Sequence, residues 1–336
     1  MATEKEEIRI VTRNSQLAMA QTNHVQALLE KAHPELSVKV TPIMTSGDKN
    51  LKQALSEIGD KGLFTQELET MILNGDVDVA VHSLKDLPTA LPAGLVVSAI
   101  TKREDDRDCV VLNSKYSELK EKEEKKDLIS HLPEGAKVGT SSLRRAAQLK
   151  RKYPQINCQS VRGNIQTRLR KLEDENYDCL VLAAAGLHRG GLGERIDEYL
   201  DYETSLPAVG QGALGIEGRE NDDKMKKLLQ SVVCETTTLR CLAERAFLRK
   251  LEGGCQAPIA AHCVVSSPSS SSLALSLTGR VLSLDGSKLV HVEESVTISS
   301  SLSFEEQQKK VEEMGKKAGA KALEQGAGEL IEAARK

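Results

Sequence analysis

The sequence contains no tryptophan and only three phenylalanines and five tyrosines in 336 residues. A nucleic-acid site built on base stacking needs aromatic platforms, so that function class is excluded, and the core has to be made from Leu, Val, Ile and Ala. Long apolar runs are missing as well. No stretch approaches the roughly 18 uninterrupted apolar residues of a membrane span, and the opening MATEKEEIRIV is polar and acidic, with no apolar signal region. The seven cysteines (109, 158, 179, 234, 241, 255 and 263) form neither a C-x-x-C pair nor a zinc spacing. An odd, scattered set of this kind reads as reduced thiols, and a cytoplasmic location with no bound metal is expected. There is no phosphate loop, and Gly210-Gln211-Gly212 lacks the preceding strand and following helix of a dinucleotide fingerprint. With 46 basic against 49 acidic residues the net charge is −3, so clusters of arginine carry more information than the total.

What is present is a strand–helix grammar repeated twice. Ile8–Val11 reads as a strand, Ser15 as the N-cap of a helix to about Ala32, and Val38 and Val40 as part of a second strand. A helix near Thr65–Leu73 and a buried strand Asp78–His82 follow. After the charged insert Glu118–Asp127 the pattern restarts: strand Ala136–Gly139, helix to Lys152, strand Ile156–Val161, helix to Glu175, strand Asp178–Ala183. Strand, crossover, strand implies parallel sheets with right-handed connections, and two such units suggest a hinged pair of lobes around a cleft. From about Cys234 a patterned helix Thr236–Leu251, three strand-like runs and a last helix from Phe304 read as a small α+β domain.

Polar and cationic residues recur where each strand gives way to a helix: Arg13 and Ser15, Ser83 with Lys85 and Asp86, Thr140 to Arg145, Arg162 to Arg168, and Arg189. In open α/β sheets ligands bind at the carboxyl ends of strands, where helix N-termini offer free N–H groups. Arginine's planar fork suits carboxylates, so a multiply charged anion is the expected ligand. Taken singly, Arg144 and Arg145 read as a solvated helix face, and Ser15 and Thr140 as plain N-caps. Asp86 is the exception in a positive site. It is either a salt-bridged turn aspartate before Leu87-Pro88 or a carboxylate held to stabilise a transient cation. Cys255, in Gly253-Gly-Cys-Gln-Ala-Pro258, is either a small turn residue or a thiol on a loop free of crowding. His82 ends a buried strand, where a structurally hydrogen-bonded histidine is the commoner case.

These segments closely resemble the porphobilinogen deaminase family, in order and over nearly the whole chain. The resemblance is carried by Arg13-Asn-Ser15-Gln-Leu-Ala, Lys61-Gly-Leu-Phe64-Thr-Gln-Glu-Leu-Glu69 and Val81-His-Ser83-Leu-Lys85-Asp86-Leu-Pro88. It continues in Val138-Gly-Thr140-Ser-Ser-Leu-Arg144-Arg145, Arg162-Gly-Asn-Ile-Gln-Thr-Arg168, Ala184-Ala-Gly-Leu-His-Arg189, Val209-Gly-Gln211-Gly and Glu252-Gly-Gly-Cys255. It is weak at Ser114–His131 and after about Ser266. The resemblance implies an α/β fold: two lobes like those of periplasmic binding proteins, 1–103 with a return segment 209–233 and 104–208, and a small C-terminal α+β domain, 234–336. It implies a transferase that condenses four porphobilinogens head to tail, with loss of ammonia, on a dipyrromethane cofactor, and then releases hydroxymethylbilane by hydrolysis. Cys255 matches the cysteine that carries the cofactor through a thioether, and Asp86 the catalytic carboxylate. Ser83, Lys85, Thr140, Ser141, Arg144, Arg145, Arg168 and Gln211 are expected to bind the cofactor. Arg13, Ser15, Arg162, Arg189 and Phe64 are expected to bind substrate. Gly47–Gly62 is expected to form a lid. A monomer with a small-molecule substrate, and with neither nucleic-acid nor membrane partners, is expected. Two competing readings are a non-catalytic binding module for a dicarboxylate or tetrapyrrole, which needs neither Asp86 nor Cys255, and an enzyme of phosphorylated metabolites, which would need a phosphate loop or metal ligands.

Overall fold

The computed structural model describes residues 6–49, 65–120, 126–251, 257–269 and 271–335. Phe64, Cys255 and most of the expected lid segment lie outside the described residues. The strands are β1 (Glu7–Arg13), β2 (Ser37–Ile43), β3 (Val79–Ser83), β4 (Leu95–Ile100), β5 (Asp108–Leu112), β6 (Lys137–Gly139), β7 (Asn157–Gln159), β8 (Cys179–Ala183), β9 (Glu198–Tyr199), β10 (Leu214–Arg219), β11 (Ile259–Ser269), β12 (Ser272–Leu282) and β13 (Leu289–Ser299). The chain divides into two compact units, 1–104 with 213–238 and 105–212 with 239–336.

The first unit holds a five-stranded sheet in the order β2-β1-β3-β10-β4. β1 runs parallel to β2 and β3, and β10 runs antiparallel to both β3 and β4. Alternation along the strands gives the sheet two apolar faces. One packs Ile8, Ile10, Val79, Val81, Leu214 and Ile216 against Val25 and Leu29 of the helix Gln16–Ala32. The other packs Val11, Ala80 and Leu95 against Leu68 and Ile72 of the helix Gln66–Leu73. Ser15 caps the first helix as its side chain accepts from Ala18 N at 3.2 Å.

The second unit contains a sheet of the same plan, β7-β6-β8-β5-β9, with β6 parallel to β7 and β8 and β5 antiparallel to β8 and β9. Leu149 and Tyr153 cover one face, and Leu169, Leu172 and Leu187 the other. The expectation of parallel sheets thus holds for three strands of each. The antiparallel fourth strand departs from it because a strand arriving from elsewhere in the chain is not governed by the strand–helix–strand rule. The apolar pattern of β10 is also broken by Gly215 and Gly218. A Cβ at Gly215 would lie 2.9 Å from the Leu84 side chain, so the close approach of the turn after β3 leaves no room there.

The same unit includes an antiparallel sheet β11-β12-β13, on which the helices Glu235–Lys250, Phe304–Glu324 and Ala327–Arg335 pack through one apolar cluster centred on Phe247. The tip of the β12–β13 hairpin reaches the helix Leu143–Lys152. Gly286 has φ +77°, a Cβ there would lie 2.4 Å from Ala147 O, and Arg151 Nη1 donates to Gly286 O and Ser287 O at 3.2 Å each.

Candidate active site

In the first unit β1 and β3 are parallel neighbours, so the residues following them emerge at one edge of the sheet. Arg13 and Ser15 leave β1 there; Ser83, Lys85 and Asp86 leave β3. Ser83 Oγ accepts from Gln21 Nε2 at 2.8 Å, which ties the strand end to the covering helix. Leu84–Asp86 form a single 3-10 turn, closed by Leu87 N donating to Leu84 O at 3.2 Å. Lys85 is half-buried and Asp86 is exposed at the end of the turn.

In the second unit the strand ends of β7, β6 and β8 likewise share one edge. Ser142 caps the helix Leu143–Lys152 and Asn164 caps Ile165–Asp174, accepting from Thr167 N at 2.8 Å. Between them sit buried Thr140 and exposed Ser141, whose hydroxyl donates to Val161 O. Arg162, Arg168 and Arg189 are half-buried along the same edge. Arg168 Nε donates to Gly163 O and Arg189 Nη2 to Gly212 O, both at 2.7 Å.

Arg144 and Arg145 differ from the other cations. They are only 5% and 6% exposed, and the carboxylate they hold is the chain's own Asp108 at the start of β5. Arg144 donates to Asp108 Oδ2 at 2.7 Å and Oδ1 at 3.2 Å, and to Leu206 O at 2.6 Å. Arg145 Nε donates to Asp108 Oδ1 at 2.8 Å. Ser205 Oγ and Gln211 Nε2 complete the node at 2.7 and 2.9 Å, and Arg145 Nη2 reaches Gln211 Oε1 at 3.3 Å. Burial alone would push Asp108 up, but the two guanidinium charges hold it well below the usual carboxylate range. Among the described residues two buried cations face one anion in this node, and Arg144 Nε is buried without a hydrogen-bond partner. The reading of Arg144 and Arg145 as a solvated helix face is corrected, because both are buried against Asp108. These arginines form a closed node around Asp108 rather than a bare fork.

Residues 8–227 match the family described as "Porphobilinogen deaminase, dipyromethane cofactor binding domain", and residues 238–324 match "Porphobilinogen deaminase, C-terminal domain". The chain belongs to the porphobilinogen deaminase family. Relatives named porphobilinogen deaminase from Parasynechococcus marenigrum and Prochlorococcus marinus are each 49% identical over 325 residues, 97% of this chain and 95% of theirs. One from a Synechococcus strain is 53% identical over 289 residues, 86% of this chain and 87% of its own. Among solved structures, the periplasmic aliphatic sulphonate binding protein SsuA from Escherichia coli is 17% identical with a TM-score of 0.39, over 74% of this chain and 76% of that one. A likeness of that size carries no argument.

The donor set of this porphobilinogen deaminase family member suits a cofactor rich in carboxylates. Hydroxyls, helix N-termini and guanidinium groups line the strand ends, and in the buried node at Asp108 two cations face one anion among the described residues. Sequence reasoning missed Asp108 itself. Its one signal was a carboxylate opening the apolar run Cys109–Leu112, and that signal was hidden at the end of the charged segment Arg103–Asp108. Ser205 and Gln148, which supports Leu206 N through Oε1 at 3.0 Å, were also missed, for want of any local pattern. Among the described residues no group of three or more His, Cys, Asp or Glu side chains is placed to hold a metal, and no helix is long and apolar enough to cross a membrane.

Proposed function

We propose that this chain is a cytoplasmic, monomeric transferase that condenses porphobilinogen stepwise into hydroxymethylbilane, with loss of ammonia at each step. The observation that carries this reading is the family match over both segments, 8–227 and 238–324, with Asp86 exposed beside Lys85 in the turn after β3. The dipyrromethane cofactor, bound by a thioether at Cys255, supplies the pyrrole α-carbon to which each new unit is joined. The domains follow the division 1–103 with 209–233, 104–208 and 234–336.

Each side chain then has a role set by its chemistry. Ser83, Lys85, Thr140, Ser141, Arg168 and Gln211 hold cofactor carboxylates, and the charges of Arg144 and Arg145 hold them from below. Arg13, Ser15, Arg162 and Arg189, with Phe64, hold the acetate and propionate of the incoming porphobilinogen. Each charge-assisted hydrogen bond contributes roughly 1.5–3 kcal/mol, so a few suffice to hold a unit while its aminomethyl group reacts. Asp86 stands beside the pyrrole that loses ammonia, and its carboxylate stabilises the positive charge left on that pyrrole.

Intact-protein mass tests the reading directly. The full chain should carry two covalent pyrrole units, and Cys255→Ser should fold, carry none and be inactive with porphobilinogen. Cys109→Ser should keep the adduct. Cys109 is buried, and burial pushes its thiol up to about 12, so it is a poor nucleophile. A fully active Cys255→Ser protein would sink the assignment of the attachment site.

A further inference from the structure

The face of the first unit's sheet that lies away from Ser83 carries chemistry that the reaction above does not use. Val79, Val81 and Ser83 point toward the helix Gln16–Ala32. Ala80 packs with Leu68 and Ile72 on the other side, and by alternation His82 follows it there. His82 is 7% exposed, and its Nε2 lies 3.0 Å from Glu217 Oε2 on β10. Glu217 is wholly buried and its Oε1 has no hydrogen-bond partner among the described residues. In register, Gly215 pairs with His82 and Glu217 with Ala80, so the bond runs diagonally across the two strands. Glu69, from the helix Gln66–Leu73, is also buried on this face. Burial pushes its carboxyl up, and the Glu217 charge adds to that push. From β1, Val11 lies on this face and alternation places Arg13 with it.

A buried polar pair of this kind adds little stability over well-packed apolar side chains, because both groups lose their hydration. The surroundings, Val11, Leu68, Ile72, Val77 and Leu95, would accept leucines. What the pair supplies and leucine cannot is a directional tie. It sits one residue before the candidate groups, where the backbone is also held to β10: Ser83 pairs with Leu214, and Leu84 N donates to Ala213 O at 3.0 Å. We propose that His82 and Glu217 are positioning residues whose hydrogen bond locks the end of β3 to β10 and sets how the Leu84–Asp86 turn presents Lys85 and Asp86. The consequence for turnover rests on the reading of Asp86 given above; the consequence for the turn itself does not.

The test uses the full, cofactor-loaded chain and the double variant His82→Leu/Glu217→Leu. Its melting temperature should equal or exceed that of the unaltered protein, while kcat falls about 10–100-fold with KM little changed, the effect of misplacing a reacting group by about an ångström. Amide hydrogen exchange at Leu84 and Leu87 should quicken about tenfold or more, with the rest of the first unit unaffected. Glu217→Gln, which keeps an acceptor for His82, should lose at most about threefold in kcat. Asp86→Asn should cost less in the double-leucine background than alone, since the carboxylate is already misplaced there. Unchanged exchange at the turn, a double variant that fails to fold, or strictly additive costs would each overturn the proposal. If Asp86→Asn alone leaves turnover intact, the reading of Asp86 fails, and the exchange data still decide whether the pair positions the turn.

Discussion

The two five-stranded sheets share a plan, and each buries a carboxylate on its antiparallel fourth strand near the end of the third. In the first unit it is Glu217 on β10, facing one histidine; in the second it is Asp108 on β5, facing two arginines. Asp108 pairs in register with Ala183, the last residue of β8, and Glu217 lies a diagonal step from His82, the last but one of β3. The same place in the fold therefore has two different kinds of partner. In the first unit the carboxylate has a hydrogen-bond partner on the neighbouring strand, and Asp86 is exposed. In the second, among the described residues, two buried cations face one carboxylate.

The sharpest way to break this comparison is to neutralise each carboxylate without changing its shape. Asp108→Asn strands two buried guanidinium groups and should cost about 3–5 kcal/mol in urea unfolding. Glu217→Gln leaves a hydrogen bond to His82 and should cost only about 1 kcal/mol. Equal losses would mean that the two carboxylates play the same part.

Acidity separates the two faces by sign. The folded-state pKa of Asp108 is depressed, so its stabilisation is complete above the unfolded value of about 4 and is lost as pH falls from there through the folded value. The folded-state pKa of Glu69 is raised, so its contribution is complete below the unfolded value of about 4.3 and is lost as pH rises through the folded value. Unfolding midpoints taken across pH should show Glu69→Gln gaining on the unaltered protein as pH rises. The deficit of Asp108→Asn should shrink as pH drops below about 4. Parallel pH curves for all three proteins would erase the contrast.

The smallest expected effect concerns the helix starts. Ser15 caps a helix in the first unit and Asn164 in the second, and alanine at either should cost about 1 kcal/mol. If Ser15 also binds substrate, Ser15→Ala should raise KM for porphobilinogen, whereas Asn164→Ala should change stability alone. Thermal melts paired with steady-state kinetics on the two variants would sharpen the comparison at its least costly point.

How far the sequence could be read follows from the range of each interaction. Helix starts at Ser15 and Asn164, and the strand ends that gather Arg13, Ser83, Thr140 and Arg162, were legible because caps and periodicity are local. The burial of Arg144 and Arg145 was not. Their partner lies 36 and 37 residues away, on a strand that enters from the opposite direction. An Arg-Arg pair on a helix looks solvated until the strand beneath it is known. His82 was read as a structural histidine from its place at a strand end, but its partner Glu217 is 135 residues distant, and no spacing announces it. The placement of Cys255 came from resemblance alone, since a cysteine after two glycines has an equally good reading as a turn.

The hairpin tip at Gly286 has a consequence for anyone who engineers this chain. Its backbone lies against the carbonyl of Ala147, two residues beyond the buried arginine pair, with no space for even a methyl group. A residue with a side chain there would wedge against the helix whose first turn holds Arg144 and Arg145. The lesion would then be felt at the buried node around Asp108, as lost stability. Surface loops between β-strands are the usual choice for epitope tags, dyes and immobilisation handles. This one is packed against a helix, and labels belong instead at the Ser299–Ser301 turn, where, among the described residues, the Ser299 and Ser301 hydroxyls bond to each other and Ser299 Oγ accepts from Ser301 N.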